Sequence, residues 1–152
     1  MKQNDILLQH MQEEHVPQIA QLEQLCFGDP WSDASIRSEL INPLSLWIVA
    51  LDRERVVGYI GSQTVLGEAD IMNIAVHPDY RRNGIAKRLL EQLREELHQT
   101  RDVYSLTLEV RVSNVEAISL YMLMGYREVG RRPGYYRNPK EDALILRKEW
   151  EL

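Results

Sequence analysis

The chain has 152 residues, 44% of them hydrophobic and 27% charged, with a formal net charge of −5. That length and balance fit one soluble globular domain over 1–152 with enough residues for a real core. The acidic excess argues against a dedicated nucleic-acid binder, because it would repel the phosphates such a protein must hold.

Residues 1–15 lack the apolar core of about 7–15 residues that a secretory signal needs. No apolar run approaches the roughly 20 residues of a membrane span. Cys26 is the one cysteine, so no intramolecular disulfide can form, which suits a reducing compartment. A cytoplasmic protein without a membrane segment is expected.

The first periodic segment is VPQIAQLEQLCF (16–27), with Val16, Ile19, Leu22, Leu25 and Cys26 at helical spacing and Pro17 in the first turn. A second helix is predicted to begin at Ser32 in WSDASIRSELI, with Ile36, Leu40 and Ile41 inward. Three strands follow, at 45–52, 55–65 and 69–76, rich in β-branched and aromatic residues. From 84 to about 99 the pattern is helical, with Ile85, Leu89, Leu90, Leu93 and Leu97 on one stripe. YSLTLEVRV (104–112) alternates strictly, placing Thr107, Glu109 and Arg111 opposite Leu106, Leu108, Val110 and Val112. Ser113 and Glu116 read as a capping box for the next helix, and Gly125 as its C′ residue. YREVGRR and EDALILRKEW then read as two strands around a Pro-Gly turn at 133–134. The order ααβββαβαββ predicts an α/β fold, a mixed sheet covered by helices on both faces.

RRNGIA (81–86) joins the third strand to the long helix. Unpaired N–H groups and the helix dipole make such a start attractive to anions, and a glycine lets backbone approach a ligand closely. Neither G-x-x-x-x-G-K-S/T nor G-x-G-x-x-G is present. The local physics fits a pyrophosphate cradle and a solvated turn equally.

The pattern R-x-x-G-x-A at Arg81, Gly84 and Ala86, following NIAVHPDY, resembles motif A of the GNAT N-acetyltransferases. PWS (30–32), LEVRVSNVEAISLYMLMGY (108–126) and YY…EDALIL (135–146) extend the likeness to the bacterial ribosomal-protein-alanine N-acetyltransferases, the RimI type. Ala86 departs from the glycine of many members. The resemblance implies a GNAT fold with a mostly antiparallel sheet, and acetyl-CoA as cosubstrate. Its pyrophosphate would rest mostly on the backbone amides of Arg82, Asn83, Gly84, Ile85, Ala86 and Lys87, with Arg81 also at the cofactor. It implies further contacts from Ile74, Ala75 and Val76, where the family strand bulges and offers an oxyanion donor, and from Asn114. The acceptor implied is the N-terminal α-amine of a protein, naturally the alanine of a small-subunit ribosomal protein.

Acetyl transfer to an amine needs a base, an oxyanion donor and an acid for the departing thiolate. An α-amine, with a reference pKa of about 7.7–8.0, begins largely protonated near neutrality. By resemblance Glu109 is the base and Tyr121 the acid. The residues alone fit a solvated strand carboxylate and a core aromatic as well. Asn114 fits a helix cap equally. The resemblance places the peptide between the early helices and the last hairpin, with Tyr135 and Tyr136 as a wall and Glu68 or Asp70 drawing the cationic amine. Cys26 reads as an inert core thiol and Trp31 as packing for the first helix. His10, His15, His77 and His98 show no ligand spacing, so no metal is expected. A small-molecule amine acceptor, or a domain binding acetyl-CoA or a partner without catalysis, are the alternative functions. Neither nucleic acid nor membrane is an expected partner.

Overall fold

The computed structural model describes residues 5–150. Its elements are β1 (Ile6–His10), α1 (Val16–Cys26), α2 (Asp33–Glu39), β2 (Ser45–Asp52), β3 (Arg55–Val65), β4 (Glu68–Val76), α3 (Ile85–Arg101), β5 (Ser105–Arg111), α4 (Val115–Leu123), β6 (Arg127–Tyr136) and β7 (Glu141–Glu149). The strands form one seven-stranded sheet in the order β1-β2-β3-β4-β5-β7-β6. Neighbours are antiparallel except β4 and β5, which are parallel. The expected mixed sheet with helices on both faces is what the chain forms.

Alternation along β2 separates two cores. Ile48 and Ala50 join the cluster under α3, while Trp47, Val49 and Leu51 join the cluster under α1 and α2. Ile85, Leu89, Leu90, Leu93 and Leu97 of α3 are all buried, as their spacing predicts. On the other face Trp47 stacks on Tyr59 at 5.7 Å and receives the edge of Trp31 at 5.5 Å.

Five features depart from the sequence pattern. β1 carries no signal in the pattern: its five residues are too few for a period to stand out, and pairing with β2 extends them. Leu25 is exposed, and Glu23 takes the buried place in the α1 stripe. Ile41 lies past the end of α2 and is 86% exposed, whereas Ile36 is fully buried. The cap of α4 is Asn114, one residue beyond Ser113, with its Oδ1 accepting from Ala117 N–H at 3.2 Å. Pro133 and Gly134 sit inside β6 at a register shift, and the reversal falls at 137–140. Tyr135 and Tyr136 are therefore strand residues. Gly125 does follow α4, at φ 95°.

Candidate active site

The parallel pairing of β4 and β5 covers only Glu68–Asp70 against Ser105–Thr107. Beyond Asp70 the two strands part, β4 staying with β3 and β5 with β7. Register passes from Ser62↔Ile71 to Gly61↔Asn73, so Met72 is an extra residue and β4 bulges there. His77 N–H donates to Val57 at 2.8 Å, which sets the phase of the ladder. By alternation, Ile74 and Val76 turn their backbone groups away from β3, toward the parting with β5. The Val76 carbonyl accordingly accepts from Arg81 Nε at 3.1 Å.

At the mouth of this parting stands the start of α3. Gly84 occupies the N-cap at φ 74°, a left-handed conformation that glycine takes without penalty. Arg88 N–H, donating to the Gly84 carbonyl at 3.1 Å, makes the first intrahelical bond. The N–H groups of Ile85, Ala86 and Lys87 thus have no intrahelical acceptor. Asn83 Nδ2 ties the approach together by donating to the Tyr80 and Arg81 carbonyls at 3.0 and 3.1 Å. The arginines do less than their charge suggests. Arg81 turns onto Val76 and lies 3.7 Å from Cys26 Sγ, and Arg82 is exposed, 3.9 Å from Glu116. Lys87 is 3.9 Å from Glu91 on its own helix. Asn114 spends its side chain on the α4 cap.

Glu109 points from β5 to the face opposite Leu108, as alternation predicts. Its side chain is 28% exposed, yet Oε2 is shielded from solvent and accepts no hydrogen bond. Arg132 Nε approaches that oxygen to 3.2 Å as an ion pair without hydrogen-bond alignment. Tyr135 and Tyr136 meet edge to face at 5.1 Å, and both hydroxyls are raised by burial first and by Glu109 second. Tyr136 is pushed up to about 12. Tyr121, 5% exposed on α4, is raised beyond the usual phenol range by burial, with Tyr136 adding to it. The structure thus gathers Glu109, Tyr135 and Tyr136 at one place, with Tyr121 coupled to them through Tyr136. Burial and then Glu68 raise the Asp70 carboxyl, against Arg147 and Arg132. Glu68 sits at the closed, paired end of the parting and is held by Arg147 NH2 at 2.7 Å.

Sequence reasoning passed over several residues that shape this region. Arg111 donates to the carbonyls of Arg137 and Pro139 at 2.7 and 2.8 Å, and its guanidinium lies 4.5 Å from the Tyr136 ring centre. It anchors the 137–140 turn to β5. That turn reaches the α1–α2 loop, where Asn138 Nδ2 donates to Asp29 Oδ1 at 2.9 Å. A Cβ on Gly28 would overlap the Asn138 carbonyl, so the two loops are in direct contact. Glu23 is 1% exposed, accepting from Trp31 N–H at 2.8 Å and from Asn73 Nδ2 at 2.7 Å. Burial raises its carboxyl to about 7 against both of these bonds. The signal for Glu23 was present: a carboxylate four residues after Ile19, on the apolar stripe. Among the described residues no three His, Cys, Asp or Glu side chains come together as a metal-holding group, and no helix is long and apolar enough to cross a membrane.

An anion-ready helix start beside a parted strand edge with a shielded carboxylate suits acyl transfer from a coenzyme A thioester. The Acetyltransferase (GNAT) family matches residues 16–126, and the chain belongs to that family. It is 40% identical over 134 residues to the ribosomal protein bS18-alanine N-acetyltransferase of Salmonella typhimurium, covering 86% of this chain and 88% of that protein. The Escherichia coli K12 enzyme of the same name is 38% identical over 133 residues, with coverage of 86% and 88%. The crystal structure of the Escherichia coli ribosomal-protein-S18-alanine N-acetyltransferase superposes with a TM-score of 0.88 at 34% identity, over 97% of this chain and 95% of that one. Arabidopsis thaliana NAA60 in complex with a bisubstrate analogue shares the fold at 19% identity, with a TM-score of 0.87 and coverage of 95% and 97%.

Proposed function

We propose that this single-domain chain transfers the acetyl group of acetyl-CoA to the N-terminal α-amine of a protein, by direct attack in a ternary complex. The acceptor is the N-terminal alanine of a small-subunit ribosomal protein, a reading supported by what the 38–40% identical relatives are named for. The setting is the cytoplasm. The observation that carries the proposal is the Glu109 carboxylate, with one oxygen shielded and free of hydrogen bonds beside Tyr135 and Tyr136.

The residues present fit acetyl-CoA. The Ile85–Lys87 amides and the positive end of α3 suit its pyrophosphate, and the β4 edge, where the Ile74 carbonyl and Val76 N–H turn away from β3, suits an extended amide chain. When bound, acetyl-CoA supplies an activated acetyl thioester. Glu109 takes the proton that the acceptor amine must lose, directly or through water. A backbone N–H of the bulged β4 serves the carbonyl oxygen. Tyr121, like any phenol, is protonated at neutral pH, burial raising its hydroxyl further, and it returns a proton to the departing thiolate. Tyr135 and Tyr136 wall the acceptor, and Asp70 favours its cationic form on approach. Arg132 must yield the carboxylate as the amine arrives.

A thiol-release assay comparing an N-terminal-alanine peptide with a polyamine and an amino sugar tests the acceptor. The peptide should win clearly. Glu109→Gln should lower kcat about 10²-fold or more with acetyl-CoA affinity unchanged, and the deficit should shrink as alkaline pH deprotonates the amine unaided. Full activity in Glu109→Gln at every pH would remove the base from this account.

A further inference from the structure

Glu23 is a buried carboxylate that the chemistry above leaves unused. Its place on α1 continues the stripe of Val16, Ile19 and Leu22, where an apolar side chain would pack without a desolvation cost. A carboxylate at that depth is useful only if both oxygens are engaged, and they are. Oε1 accepts from the Trp31 amide at 2.8 Å, and Oε2 accepts from Asn73 Nδ2 at 2.7 Å. Asn73 Oδ1 in turn lies 3.2 Å from the Ile74 amide as its acceptor. Three consecutive hydrogen bonds therefore run from the α1–α2 loop, through α1, to the β4 bulge and an amide on the parted side of that strand.

We propose that Glu23 is a positioning residue for acetyl transfer, tying the loop that borders the acceptor to the bulged strand that borders the acyl donor. This role rests on the acetyl-transfer reading. The two ends of the tether belong to different substrates: the loop carries Gly28 and Asp29, which meet Asn138 of the last hairpin, whereas β4 carries the Ile74 and Val76 amides. Fixing their separation fixes the approach of amine to carbonyl, where a displacement of about 1 Å can cost 10²-fold in rate. Glu23 is not itself the base, because it is 1% exposed and both its oxygens face protein donors rather than the parting between β4 and β5.

The test uses the polarity of the three bonds. In Glu23→Gln the amide oxygen can serve Trp31, but its NH2 then faces the NH2 of Asn73. Asn73 must turn over, and Oδ1 leaves the Ile74 amide. In Glu23→Gln/Asn73→Asp the new aspartate accepts from Gln at 23 and from Ile74, restoring three bonds with one reversed. Steady-state kinetics on the peptide acceptor should show kcat down about tenfold or more in Glu23→Gln. Acetyl-CoA Kd, measured by calorimetry, should stay unchanged, because the α3 start is untouched. The double variant should recover most of the lost kcat. Wild-type kcat in Glu23→Gln, or no recovery in the double variant, overturns the role. Absence of wild-type turnover on any amine would instead defeat the acetyl-transfer reading. Hydrogen exchange at the Ile74 amide then decides the tether: faster exchange in Glu23→Gln upholds it, and equal exchange overturns it.

Discussion

Glu23→Gln also makes a prediction about stability, with the opposite sign to its effect on rate. Burial raises the Glu23 carboxyl from 4.5 to about 7 in the folded chain. A group raised on folding contributes stability that is complete below its unfolded value and is lost as pH climbs through its folded value. The shift is about 2.5 pH units, and at 1.36 kcal/mol per unit it is worth roughly 3 kcal/mol between pH 4.5 and pH 8. Starting from pH 5, where part is already lost, about 2.5 kcal/mol remains to be lost by pH 8. Gln at 23 cannot ionise and should be spared that loss. Cys26 is the other titratable group facing this carboxylate; burial raises its thiol, with Arg81 opposing, so it stays neutral across the window. Urea unfolding of both proteins at pH 5, 6, 7 and 8 should show Glu23→Gln gaining on the wild type by about 1–2 M in midpoint over that range. A constant difference from pH 5 to pH 8 would mean that Glu23 is already ionised at pH 5, refuting the picture of a carboxylate strained by burial. If the Glu23→Gln midpoint at the assay pH is no lower than the wild type's while kcat falls, the rate loss cannot be ascribed to unfolding.

Tyr121→Phe keeps the buried ring and removes only the hydroxyl, so kcat should fall about 10²-fold with the melting temperature nearly unchanged; an unaltered kcat would return Tyr121 to a packing role. Gly84→Val places a β-branched residue at φ 74° over the α3 amides, and should weaken acetyl-CoA binding in calorimetry about tenfold or more. Arg81→Ala should weaken it much less, because that guanidinium is turned onto Val76, and the reverse order would make the loop an electrostatic site. Gly28→Val drives a side chain into the Asn138 carbonyl, so it should raise peptide KM about tenfold and leave acetyl-CoA affinity alone; unchanged peptide KM would detach that loop contact from acceptor binding.

The parts of this fold that were legible in the sequence are those that local physics decides. The bounds of β2 and β3, the α3 stripe and the two faces of β5 follow from periodicity, and each is where the pattern puts it. What escaped depends on partners distant in the chain. β1 exists because β2 offers it an edge, and Ile41 faces outward because α2 ends first. Pro133-Gly134 has the composition of a turn, yet the anchoring of 137–140 by Arg111 moves the reversal beyond it. The candidate site divides the same way. The α3 start and the facing of Glu109 could be read, but the Arg132 pair, the Asn138–Asp29 contact and the Glu23 tether join segments up to 109 residues apart.

The single parallel pair in the sheet explains why all these features converge. Antiparallel neighbours joined by short turns pair along most of their length, as β2 does with β3. β5 instead arrives after α3, so nothing in the connection forces it to follow β4 beyond Asp70. The Met72 bulge turns β4 further, and its outward amides are left to something other than a strand. The long helix that delays β5 begins beside the end of β4, so the anion-binding N-terminus and the open strand edge are products of one crossover. The next strand, β5, then brings Glu109 to the far side of the same gap. On the proposed reading, an acyl donor lying along β4 would sit between the α3 start that suits its phosphates and the Glu109 carboxylate across the gap. The hydrogen bonds through Glu23 span what this crossover does not, joining β4 to the α1–α2 loop on the other side of the site.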